Sequence, residues 1–574
     1  MKFGVWIVFV LIYLGPPGQA GYAGPALADH MESSIPVKRT LMQDPRLVES
    51  KGISVKFAEQ ANINLISLNK YINKWFLLEM IQKSGRMILH LENANPSFNL
   101  DLYESGLSLH SKNNPKQKIL CPLWDDKGMQ VSQDIFDKHD HAFYPICSGM
   151  VFIRLKKPSN TRMTFTEITT EVLRSLPVGE KIISYFKPFL VGLKAESDSG
   201  IKQKKDLKDL NKGPAKDSFQ PESVKLKDMG EYNLISSGNQ LGISIRGAEK
   251  TVQYGKWYES EMHSGVFVGL FKPELISDEI LMTYPGKARD LKPEEKNKLV
   301  YMTAYDLNKF SLNYAVGTVH PAVNVSAPEF GKAAVLRESV VPVGGIPPYE
   351  VAQAIGVFVG GFKNQHSEFK AGPYKGRTYG YIENGLELEP MSPLLATMIM
   401  KKNGDADIIR WPEKEEDQLK LREDIVSARQ NGSMVVADGA PGEFVSSWKF
   451  GNWSGSAEGL GQSLRAGICI QKKDDKKFLI FMAFTSATPS AMARVMQAYS
   501  CQNGMHLDMN AHMYLHNAIY SYQSNDQSFN VEYLHKEMLF PKNLKRHRFI
   551  MDNNQRDFFY IRHKNPDPDM FVTN

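Results

Sequence analysis

The densest chemistry in this chain lies between Gly504 and His516, in the stretch GMHLDMNAHMYLH. The apolar run Met505-His506-Leu507 ends on Asp508, and Asn510, His512 and His516 follow. A short strand that ends on an acid delivers that acid to the surface, where functional groups gather. Asp508 is therefore a candidate catalytic carboxylate. Steps of four would stack Asp508, His512 and His516 on one helix face, as a metal site needs. The strand pattern before Asp508 breaks that register, and no metal or cofactor is assigned. A strand-end turn is the plain structural alternative.

Other candidates share this position at the end of an apolar run. Asp306 closes the run VYMTAYD and is a second candidate acid. Asp438 closes MVVAD, where Asp438-Gly439 also reads as a turn. Arg465 precedes AGICIQ, and its planar guanidinium can hold two oxygens of one anionic group. Asn510 and His512 are polar groups that could hydrogen-bond a ligand or, for His512, transfer a proton. His320 precedes Pro321 and is therefore extended, a further binding candidate. Gly360-Gly361 marks a close backbone approach, without the spacing of a phosphate-binding loop. Trp448 and Trp453 sit on a Gly/Ser-rich loop and suit either a sugar face or the core. His139 and His141 read as a solvated loop rather than a metal site.

The elements that would position these residues follow from periodicity. Residues 46–193 alternate short apolar runs with turns and read as a small α+β domain; a helix is expected over TFTEITTEVLRSL. Residues 194–228 are charged, poor in aromatics and broken by Gly and Pro, as in a linker. From residue 229 to 574 many strand candidates accompany three helix candidates, PEEKNKL, KEEDQLKLREDIVSARQ and SAMARVMQAYSC. The expected class is α+β throughout, sheet-rich in the second half.

Composition narrows the class further. The chain has 574 residues, 42% hydrophobic and 23% charged, with a net charge of +6. So small a charge over that length gives no reason to expect nucleic acid as a partner. Lys2, the run Phe3–Leu14, the breakers Gly15, Pro16 and Pro17, and Ala26-Leu27-Ala28 before Asp29 read as a cleaved secretory signal over residues 1–28. No later stretch is apolar enough to cross a bilayer, so no stable span is expected after cleavage. Export to the periplasm or beyond permits disulfides. Proximity in the sequence favours Cys121–Cys147 and Cys469–Cys501.

Taken in order, the pieces VYMTAYDLNKF, VPVGGIPPYEVAQAIGVFVGGF, GPYKGRTYGYIENGLEL, ATMIMKKNGDADIIRW, ARQNGSMVVADG, SLRAGICIQKKDDKKFLIFMAF and TPSAMARVMQAYSCQNGMHLDMNAHMY resemble the phosphodiester glycosidase domain family. The resemblance covers roughly residues 240–525. Arg465, Asp508, Gly360, Gly361 and Asp438-Gly439 match the family pattern. Val359 stands where the family has Asn, and Met509, Asn510 and Ala511 stand where it has glycines. The resemblance implies hydrolysis of a sugar-1-phosphodiester in an envelope or extracellular glycan. Asp508, Arg465 and Asp306 would then be catalytic, and Asn510, His512, His320, Gly360, Gly361 and Asp438 substrate-binding. The departures favour a different outcome, a catalytically silent glycan-binding or scaffold protein of the same fold.

Overall fold

A computed structural model describes residues 43–159 and 201–564 apart from short stretches, the longest being 205–219, 322–338, 454–462 and 539–546. The signal segment, the expected helix over TFTEITTEVLRSL, most of the linker, Trp448 and the side chain of His512 lie outside the described residues.

The described chain is mostly β, which corrects the α+β expectation for both halves. Every strand pairing is antiparallel, in sheets of up to eight strands. Among the described residues only Glu415–Asp424 and Pro489–Ala498 reach ten residues of helix. The physical reason is local. PEEKNKL yields one turn, Pro293–Lys296. The pattern after Glu415 stops being helical at Ile425, and Ile425–Gln430 continues as a strand. Helix Pro489–Ala498 survives because Pro489 opens it and the Thr488 hydroxyl accepts from Ala491 N at 3.2 Å.

The first sheet runs in the order Glu49–Lys56, Gln60–Ser67, Trp75–Gln82, Gly85–Asn93, Val151–Arg154, Phe143–Ile146. Its third strand opens with the unbroken apolar run WFLL because both faces are covered. Phe76 and Leu78 pack in a core of the N-terminal strands, whereas Trp75 and Leu77 join the large core of the later sheets. A buried polar seam follows the same boundary. Lys74 meets Glu350 at 2.9 Å, and Arg154 reaches both Glu92 and, at 3.7 Å, Glu383. The disulfide Cys121–Cys147 ties the hairpin region of this part to the turn before Val151.

The central sheet holds eight strands in the order Tyr258–Glu259, Val266–Phe271, Val300–Asp306, Lys476–Ala487, Ser463–Lys473, Cys501–Met509, Met434–Ala437, Ala440–Pro441. Helix Pro489–Ala498 lies against it. A Cβ on Gly504 would come within 2.6 Å of Met496 Sδ, and one on Gly467 within 2.8 Å of two methionine methyls of that helix. The second disulfide, Cys469–Cys501, joins two neighbouring strands of this sheet. A five-stranded sheet, ordered Phe310–Ala315, Phe558–His563, Ala354–Val359, Asn517–Gln523, Ser528–Tyr533, takes the last described strand into its interior, beside the edge strand Phe310–Ala315.

Candidate functional site

Strand Cys501–Met509 is an interior strand, and Asp508 is its penultimate residue. Apolar neighbours bury the strand, so the carboxylate needs a partner. Asp508 finds it in Arg556, with which it forms an ion pair; the two side chains are 9% and 11% exposed. The Asp508 carboxylate also accepts from Met509 N at 2.8 Å. The Arg556 guanidinium lies over the Tyr514 ring, 4.8 Å from its centroid.

Further basic groups gather around Arg556. Burial pushes the His320 imidazole down to about 2, and the charges of Arg556, Lys363 and His366 push it the same way. His320 is therefore neutral at any ordinary pH, and its buried Nδ1 has no hydrogen-bond partner. Lys363, His366 and Tyr514 are half-buried. The charges of Arg556, Lys363 and His366 thus all bear on one neutral imidazole, and Arg556 is itself paired with Asp508.

Gly360-Gly361 makes this convergence sterically feasible. Strand Ala354–Val359 ends against the Arg556-Asp557 backbone, with Gly360 N donating to Asp557 O at 3.0 Å. A Cβ on Gly360 would sit 2.4 Å from the Asp557 carboxyl carbon, and one on Gly361 2.7 Å from Asn431 Oδ1. Asp557 cannot retreat easily. It is paired with the buried Arg429 at 2.7 Å and accepts from Tyr314 Oη at 3.0 Å. Asn431 is a clamp: it accepts from Phe362 N at 2.9 Å and donates to His506 O and Leu507 O at 2.8 and 3.1 Å. The chain carrying Lys363 and His366 is thereby fixed to the strand carrying Asp508.

Arg465 behaves differently. It is fully buried and pairs with Met509 across the ladder. Its guanidinium donates to Ala487 O at 2.8 Å and Trp453 O at 2.7 Å and lies 3.3 Å from His506 Nε2. Burial pulls it down to about 9, which leaves it charged at neutral pH. Trp453 is buried too, and its indole donates to Phe444 O, so it anchors its loop to the core.

Asp306 and Asp438 lie at other places in the sheet. Arg465 and Val300 pair with Phe484, whereas Asp306 pairs with Phe478, six residues back along the same strand. At about 3.3 Å per residue that is roughly 20 Å. There Asp306 accepts from Asn308 N at 2.9 Å and shapes the turn by which the chain passes from the central sheet to strand Phe310–Ala315 of another sheet. Asp438 and Gly439, both at positive φ, form the two-residue turn between Met434–Ala437 and Ala440–Pro441. Asp438 N donates to Asn503 Oδ1, near the start of the Asp508 strand. Asn510 has φ of 82° and accepts from Ser463 Oγ at 2.9 Å. His512 begins a 3-10 turn, His512–Leu515. His516 is buried against the rings of Tyr533 and Phe549, and burial lowers it to about 3. Among the described residues no group of three His, Cys, Asp or Glu could hold a metal ion. No described helix is long and apolar enough to cross a membrane.

Sequence reasoning missed Arg556, Lys363, His366 and Tyr514. Arg556-Asp557 lies in NNQRDFFYIRH, an unremarked polar pair before an apolar run. An Arg-Asp pair poised to enter a strand was the available signal.

The fold and site define a mostly-β chain of antiparallel sheets with an acid–arginine pair at the end of an interior strand. No protein-family model matches the chain, and no curated protein does. Among solved structures it is weakly similar to the zebrafish N-acetylglucosamine-1-phosphodiester alpha-N-acetylglucosaminidase catalytic domain auto-inhibited by its pro-peptide. That match has 11% identity and a TM-score of 0.29, covering 54% of this chain and 87% of that one. A hypothetical protein from Synechocystis matches at 8% identity and a TM-score of 0.27, over 90% of this chain and 96% of that one. A putative exported protein from Burkholderia pseudomallei matches at 10% identity and a TM-score of 0.19, over 46% and 74%. Likeness at this level assigns no family.

Proposed function

We propose that this chain is an exported hydrolase that binds a sugar-1-phosphodiester of an envelope or extracellular glycan beside Asp508 and Arg556 and cleaves it. The observation that carries the reading is the Asp508–Arg556 ion pair at a strand end, close to His320, on which the charges of Arg556, Lys363 and His366 all bear. Phosphate oxygens compete with Asp508 for the Arg556 fork, because a guanidinium binds either oxyanion. Once Arg556 turns to phosphate, Asp508 is left to face the anomeric carbon, where positive charge develops as the C1–O bond breaks. Water supplies hydroxide to C1 and a proton to the departing phosphate monoester. His320, kept neutral by burial, offers the substrate a hydrogen bond rather than a proton. The two disulfides support an oxidising compartment and hence export.

The enclosure of Arg465 favours a second reading, glycan binding without turnover. Arg465 is fully buried, with donors directed at backbone carbonyls. The test is to incubate the secreted chain with a panel of sugar-1-phosphodiesters and follow release of reducing sugar. Turnover that disappears in Asp508→Asn, with near-UV circular dichroism retained, and a raised KM in Lys363→Ala support the proposal. Binding without turnover across the panel supports the second reading. Neither binding nor turnover refutes both.

A further inference from the structure

A cleft in the N-terminal sheet lies outside the site described above. Its volume is about 490 Å³, within the range of small-ligand sites. It forms where strands Glu49–Lys56 and Gln60–Ser67, the connection after Ser67 and the hairpin Phe98–Ser111 meet. Leu65, Phe76 and Leu100 give it an apolar floor. Lys51, Lys70, Lys112 and His110 line its walls. Lys51 is paired with Asp101 at 3.0 Å, and Lys70, Lys112 and Glu49 complete the charged lining. Burial lowers the Lys112 ammonium, and the like charge of Lys402, in the turn after strand Ala396–Lys401, lowers it further. Lys51, Lys70 and Lys112 outnumber Glu49 and Asp101 in the lining, so the cleft carries an excess of positive charge that an anion offsets.

The cleft also has features suited to a sugar ring. Tyr71 is 39% exposed, with the Lys70 ammonium 5.2 Å from its ring centroid. Asn73 donates its amide hydrogens to Pro96 O and Phe98 O, so its oxygen is kept for acceptance. An apolar floor beside amides and an exposed aromatic matches a pyranose, which has a C–H face and a polar rim. The connection carrying Lys70 and Tyr71 is held in advance. Asn69 donates to Gly385 O at 3.0 Å, Tyr71 N donates to Asn69 Oδ1 at 3.0 Å, and Gln43 bridges Leu68 O and Gly385 O. Little ordering remains to be done when a ligand arrives.

We propose that this cleft is a second ligand site that binds an acidic saccharide, a sugar chain bearing carboxylate, sulfate or phosphate groups. Hydrolysis at Asp508 is not required for it. The full secreted chain is titrated with polygalacturonate, dextran sulfate, a sugar-phosphate polymer such as a teichoic acid, neutral dextran and single-stranded oligothymidylate. Binding to at least one acidic saccharide and not to dextran is expected, and the tightest of the three names the anionic group. Lys70→Glu with Lys112→Glu weakens that binding by about tenfold or more, and Tyr71→Ala weakens it with no change of charge. Turnover of any small sugar-1-phosphodiester is unchanged in these variants, so failure here and failure at Asp508 are read separately. The proposal is overturned if no acidic saccharide binds, if the lysine pair variant binds undiminished, or if oligothymidylate binds as tightly and Tyr71→Ala has no effect.

Discussion

Replacing Asp508 by Asn tests the centre of the candidate site as a problem in stability as well as in activity. The amide keeps the shape and removes the charge. It takes the Asp508 charge away from the Arg556 guanidinium, which is 11% exposed and shares its surroundings with the charges of Lys363 and His366. Breaking one partner of a buried pair costs about 3–5 kcal/mol. The residual exposure of both side chains argues for the lower end, about 3 kcal/mol. Arg556→Gln should cost a similar amount by stranding the Asp508 carboxylate. The double variant then loses much less than the sum, because neither charge is stranded. A coupling of about 2–3 kcal/mol is expected. Urea unfolding followed by tryptophan fluorescence measures all four corners of the cycle. Double-variant losses that add to within about 0.5 kcal/mol would show that the pair behaves as an exposed surface bridge and would sink the reasoning.

Other consequences can be checked in the same assays. Gly360→Ala drives a methyl into the Asp557 carboxyl at 2.4 Å, beside the buried Arg429 pair, and should lower stability by about 3 kcal/mol or more; a variant as stable as wild type would refute that packing. Burial raises the Glu383 carboxyl to about 7 against the pull of Arg154. The folded protein therefore holds a proton that the unfolded chain releases above the ordinary glutamate range. The stability from this group is complete below about pH 4.5 and is lost as pH rises through about 7. Glu383→Gln should thus gain stability over wild type at pH 8, by up to about 3 kcal/mol, and little at pH 4.5; equal gains at both would refute it. Cys469→Ser with Cys501→Ser opens a loop with a sequence separation of 32 and should cost about 3–4 kcal/mol, read as a lower unfolding midpoint under non-reducing conditions.

Local signals in the sequence were enough for the pieces of this protein. The alternating run before Asp508 specified a strand, and that strand is Cys501–Met509. Both disulfides follow from nearness along the chain, because each joins segments that meet early in the topology. Asp438-Gly439 carried its turn in its own dipeptide. What pattern alone could not decide was the balance of helix against strand, since the helical stretches are too short for their period to dominate, and KEEDQLKLREDIVSARQ changes from helix to strand midway. Nor could it separate three acids that all end apolar runs. Sheet register put Asp306 and Asp438 at turns away from Asp508, and register depends on pairings between distant segments. Arg556 reaches Asp508 because the last described strand, Phe558–His563, inserts between Phe310–Ala315 and Ala354–Val359. Local sequence sets each residue's backbone preference; which charged groups become neighbours is decided by strand order, a property of the whole chain.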